Sequence, residues 1–144
     1  MEPDFVFTVA NMVAVVGWIA LLASPFIPRA SDMIAAVAVP LLLSVAYTGL
    51  VLALWSGGQG GFDSLANVEL LFETRELLLA GWLHFLAFDL FVGAWLVRTA
   101  RAEGIGFILV VPCLVLTFLF GPAGFLLFSA VRAARLRSPA GQPA

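Results

Sequence analysis

Four long apolar runs separated by short polar, glycine-rich or proline-rich connections dominate the chain: about Phe5–Pro25, Met33–Trp55, Leu77–Val97 and Ile105–Val131. At 1.5 Å rise per residue each is long enough to cross a hydrocarbon core of roughly 30 Å. The pattern therefore predicts an all-α integral membrane protein, a bundle of four transmembrane helices. Residues 1–136 would form this single transmembrane domain and 137–144 a disordered Pro/Gly tail.

The connections refine the picture. "SPFIPRASD" carries Pro25 and Pro28 to end one helix and Ser31 or Asp32 to cap the next, which predicts a tight hairpin. "SGGQGGFDSLANVELLFETRE" begins with glycines, then places Leu65, Val68, Leu71 and Phe72 at helical spacing opposite Glu69, Glu73 and Glu76. That spacing predicts a short amphipathic interfacial helix between the second and third spans. Pro40 and Pro122 remove backbone donors within apolar runs and predict kinks in the second and fourth helices. Gly121 and Gly124 flank Pro122 and would let a bulky ligand approach the backbone.

Composition agrees with the pattern. The chain is 62% hydrophobic and 11% charged, with mean hydropathy +1.09, too little polar surface to cover a water-soluble globule. A net charge of −2 gives no basic stripe for nucleic acid. The single cysteine, Cys113, can form no intramolecular disulfide. One histidine and one intramembrane aspartate, with no close His-x-x-His or Glu-x-x-His pair, do not support a metal site. With four spans, the amino terminus, the second connection and the tail share one side, and four arginines against three favour placing both termini in the cytoplasm.

The candidate chemistry lies in the buried polar groups, because an ionisable side chain inside a span costs several kcal/mol on insertion scales. Counted inward from the amino-terminal side, Asn11, Tyr47 and His84 sit about 9, 12 and 10 Å deep at the standard helical rise. Three helices thus offer hydrogen-bonding groups at one level, above an acidic connection containing Glu73. Asp89 lies about 140° around the helix from His84, so the two serve different contacts. His84 is either an interhelical hydrogen-bond donor, to Asn11 or Tyr47, or a proton donor and acceptor. Asp89 is either bonded to another helix or acts as a general acid or base. Trp82, Phe88 and the neighbouring aromatics form core and interfacial belt, and would also favour a long apolar ligand.

"GWLHFLAFDLFVGAWLVR", the following "GI", "LTFLFGPAGFLLF" and the preceding "FDSLANVELLF" resemble the abscisic acid deficient four family, whose plant members are chloroplast membrane proteins required to make neoxanthin from violaxanthin. The family pattern often has a tyrosine after the histidine and a basic residue after the glycine, where this chain has Phe85 and Ala94. The resemblance implies a cofactor-independent isomerisation of an epoxidised carotenoid or related isoprenoid. An acid would protonate the epoxide oxygen and a base remove a vinylic proton, with His84, Asp89 and Glu73 as candidate catalytic groups. Asn11, Tyr47, Trp82, Phe88 and Gly121 would line the ligand pocket. With no Ser/Arg-rich transit segment ahead of the first run, the expectation is a bacterial plasma (inner) membrane protein whose surroundings are lipid. A non-catalytic carotenoid or lipid binder, or a scaffold whose polar groups only specify helix pairing, is the alternative.

Overall fold

The structure, a computed structural model, describes residues 2–57 and 59–137. The tail expected to be disordered falls outside them from residue 138 onward. Among the described residues there are six helices: α1 (Pro3–Leu22), α2 (Pro28–Gly57), α3 (Leu65–Glu73), α4 (Arg75–Ala102), α5 (Phe107–Phe120) and α6 (Pro122–Arg137). Among the described residues there are no strands.

Among the described residues three helices, α1, α2 and α4, are long and apolar enough to cross a membrane. They present Met12, Leu52 and Leu78 outward, as a bundle solvated by lipid tails does. Pro28, with its φ preset for a first helical turn, opens α2; Ser31 and Asp32 lie inside the helix rather than capping it. Pro40 does not break α2. The helix widens to a π-turn at Ile34–Ala38, in which the Val39 amide donates to the Ile34 carbonyl five residues back, and so absorbs the missing donor. The amphipathic segment after the glycines forms α3, capped by the Ser64 hydroxyl accepting from the Asn67 amide at 3.2 Å. Leu71 is its one buried residue, while Leu65 and Phe72 stay exposed.

α4 is the central post. The Cβ that Gly17 lacks would collide with Leu90, and one on Gly93 would lie 3.0 Å from Trp18, so α1 and α4 pack through their small residues.

The fourth apolar run is where the fold departs from the sequence pattern. Instead of one kinked span, residues 105–131 form two antiparallel arms. α5 has 14 residues, about 21 Å, and falls short of crossing the bilayer. Gly121, at φ +42°, then turns the chain, and Pro122 starts α6. Three contacts show that α6 returns to the side α5 came from. Gly124 sits directly on the α5 backbone at Cys113 and Thr117. Phe125 and Phe128 pack on Trp95 of α4, with ring centroids 5.6 and 5.8 Å apart. Arg132 donates from Nε to both carboxylate oxygens of Glu103, at 2.8 and 2.7 Å, just ahead of α5. The run is a re-entrant hairpin, a form tolerated at membrane depth when packed against protein.

The hairpin changes the sidedness. α1 begins and α6 ends on opposite faces, not on a shared one. The amino-terminal face has Arg75 against Glu2, Asp4, Asp63, Glu69, Glu73 and Glu76, and the hairpin face has Arg29, Arg98, Arg101, Arg132 and Arg135 against Asp32 and Glu103.

The Arg132 guanidinium bonded to Glu103 holds that carboxyl below the usual glutamate range. A depressed pKa stabilises the hairpin base above the unfolded value, about 4.3, and that contribution is lost as pH falls through the lowered one. Glu103→Gln is accordingly expected to remove part of the acid-induced loosening of α6, read as the pH dependence of proteolysis at the hairpin base. Equal pH profiles for the two proteins would show that the pair contributes nothing.

Candidate functional site

The polar residues at one depth do not converge on one pocket, because Asn11 of α1 and Tyr47 of α2 meet different sides of α4. They divide into three places around it.

The first place is the α2–α4 groove. Ala36, Val37, Pro40 and Ser44 of α2 face Ala87, Phe88 and Phe91 of α4 around a cavity of about 340 Å³ open to the lipid side. The π-turn of α2 forms part of its wall. At the end nearer the amino-terminal face, one turn past Ser44 and Phe88, stand Tyr47 and His84. The imidazole is exposed and stacks on the Phe88 ring at 4.6 Å, with the Tyr47 ring centroid 5.8 Å away. Among the described residues, neither His84 nor Tyr47 has a hydrogen-bond partner.

The second place is the α1–α4 side. The Trp82 indole donates to Asn11 Oδ1 at 3.3 Å, and the Asn11 amide donates to the Phe7 carbonyl at 2.7 Å. Phe7, Phe72, Gly81 and Trp82 line a cavity of about 490 Å³, with the Arg75–Asp4 ion pair at its rim. Asn11 is thus committed to Trp82 and not to His84. Glu73 ends α3, exposed, with no described contact to either His84 or Asp89.

The third place is the hairpin tip. Asp89, buried, points from α4 at the turn: a Cβ on Gly121 would lie 2.5 Å from Oδ1 and 3.1 Å from Cγ. Its Oδ2 has no hydrogen-bond partner. The carboxyl therefore sits at the hairpin turn, against Gly121 and the start of α6. This contact needs the hairpin, and nothing in the local sequence announces it. The "FGPAG" motif was the available signal, since a glycine before a proline permits both a positive φ and a fresh helix start.

The arrangement separates His84 and Asp89 as their 140° offset requires. What it can do chemically is concentrated in the first place: an imidazole and a phenol, both uncommitted, at the end of an apolar lipid-facing groove. Ser44 adds a hydroxyl to the same wall. Among the described residues no group of three or more His, Cys, Asp or Glu could hold a metal.

The pattern that defines the ABA DEFICIENT 4-like family matches residues 5–128, most of the chain. Neither a curated protein nor a solved structure matches.

Proposed function

Because the chain belongs to the ABA DEFICIENT 4-like family, we propose that it holds an epoxidised carotenoid or related isoprenoid in the α2–α4 groove and isomerises it by acid–base chemistry. The observation that carries this reading is the placement of His84. Ionisable groups at membrane depth ordinarily face the bundle interior. This one faces outward at the end of an apolar groove, where a ligand dissolved in the bilayer is what would meet it.

In this reading the apolar chain of the ligand lies along Pro40, Leu41 and Phe91, and its oxygenated end meets Tyr47 and His84. One of the pair gives a proton to the epoxide oxygen as the C–O bond opens, and the other takes a vinylic proton as the new double bond forms. One proton in and one out leave the composition unchanged, so no redox cofactor is required. Asp89 and Glu73 stand outside this exchange: Asp89 lies against the hairpin tip and Glu73 sits on the amino-terminal face. The arginine-rich hairpin face is the cytoplasmic one under the positive-inside rule, which puts α1's start outside, and α3 lies at the outer interface.

The test is expression in a bacterium that makes epoxy-carotenoids, with pigments resolved by chromatography and mass detection. The wild type is expected to convert an epoxide to a product of equal mass. His84→Ala and Tyr47→Phe should each lower conversion by a factor on the order of 10² or more while still reaching the membrane. An unchanged pigment profile in the wild type would leave a binder without turnover, using the same groove. Full conversion by His84→Ala would move the chemistry elsewhere.

A further inference from the structure

Where the α1–α2 turn meets the α4–α5 turn, on the hairpin face, a cavity of about 270 Å³ is lined by Ser24, Val97, Arg101, Ile105 and Phe107 among others. We propose that this cavity binds the phosphate headgroup of an anionic phospholipid such as phosphatidylglycerol. The inference rests on the hairpin topology and is independent of the carotenoid reading.

Three observations carry it. First, Arg101 donates from Nη1 to Asp32 Oδ2 at 3.0 Å, and the rest of its fork makes no described hydrogen bond. An arginine fork has five N–H donors and matches phosphate oxygens in pairs.

Second, a polar group that has no partner lines the same cavity. The Ser24 hydroxyl, on a residue 1% exposed, makes no described hydrogen bond. A buried hydroxyl left without a partner in a cavity wall points to a ligand that completes it. Uncommitted N–H and O–H donors at the cavity wall select an acceptor-rich anion.

Third, the surroundings have the charge and the depth that such a lipid needs. Arg29, Arg98, Arg132 and Arg135 share this face with Arg101 and outnumber its two carboxylates. The Val97, Ile105 and Phe107 walls are apolar and lie in or beside the α4–α5 turn, at the level where glycerol joins acyl chain. A soluble phosphate would gain nothing from those walls.

The experiment uses the full chain in lipid nanodiscs of phosphatidylcholine with and without phosphatidylglycerol, and reads retained lipid by native mass spectrometry after detergent release. The wild type is expected to retain phosphatidylglycerol over phosphatidylcholine by roughly fivefold or more, what one arginine near an anionic headgroup supplies. Arg101→Gln combined with Asp32→Asn removes both charges together, leaves neither stranded, and should bring the ratio to parity. Ser24→Ala, which cannot disturb an ion pair, should lower it severalfold. Arg135→Gln, the same kind of charge loss outside the cavity, should leave it unchanged. Equal retention of the two lipids by the wild type overturns the proposal. So does an undiminished preference in the double variant, which would assign it to the charge of the whole face, or displacement of the lipid by excess inorganic phosphate, which would make this a soluble-anion site.

Discussion

Gly124→Ala is expected to destabilise the protein by about 3 kcal/mol, the upper part of the usual range for overpacking, because its added carbon meets atoms that cannot yield. Those atoms are the Thr117 amide and hydroxyl and the Cys113 carbonyl, all closer than real Cβ contacts come. The Thr117 hydroxyl is itself held, donating to the Cys113 carbonyl at 2.8 Å. Accommodating the methyl means spreading α5 from α6 and breaking their contact along the hairpin. Gly49→Ala supplies the control: that position, on the exposed side of α2, has nothing within 4 Å, and alanine there should stabilise by up to about 1 kcal/mol through helix propensity. Reversible unfolding in mixed micelles measures both. If Gly124→Ala unfolds like the wild type, the two arms do not touch and the hairpin is wrong.

The second large effect is all-or-none. A fourth span would bring α6 out beside the amino terminus, whereas a hairpin returns it to the opposite face. In a Cys113→Ser background, where serine can donate to the same Leu109 carbonyl that the thiol reaches at 3.4 Å, single cysteines are placed at Glu2 and Arg135. A membrane-impermeant maleimide added to intact cells should label the cysteine at position 2. It should reach position 135 only after the membrane is opened. Labelling of both from the same side would restore the four-span topology and return the charge count to four arginines against three.

Much of the candidate site could be read before any coordinates. The offset between His84 and Asp89 follows from 100° per residue and needs no tertiary information. α4 indeed presents His84 outward and Asp89 inward. Depth was legible too, since a linear rise places Asn11, Tyr47 and His84 at similar levels. Depth, however, says nothing about azimuth. Asn11 reached Trp82 and His84 reached Phe88 and Tyr47 because α1 and α2 lie against different sides of α4. Which side each takes is set by small residues such as Gly17 and Gly93, whose partners lie far along the chain.

The apolar runs and the dearth of charge determined by themselves that this is a helical membrane protein, since hydropathy reports transfer into lipid and every backbone group of a helix is satisfied within it. The family resemblance in "GWLHFLAFDLFVGAWLVR" and "LTFLFGPAGFLLF" was likewise present in the residues alone. Tertiary structure decided whether the last run crosses. Residues 105–131 have the length and hydropathy of a span, and a hydropathy pattern is the same for one helix through the membrane as for two arms folded back. What separates them is Gly121's positive φ, the bare face of Gly124 on α5, and Glu103 meeting Arg132 across 29 residues. Those contacts also gathered the arginines on one face, so the charge asymmetry belongs to the fold and not to any stretch of the chain.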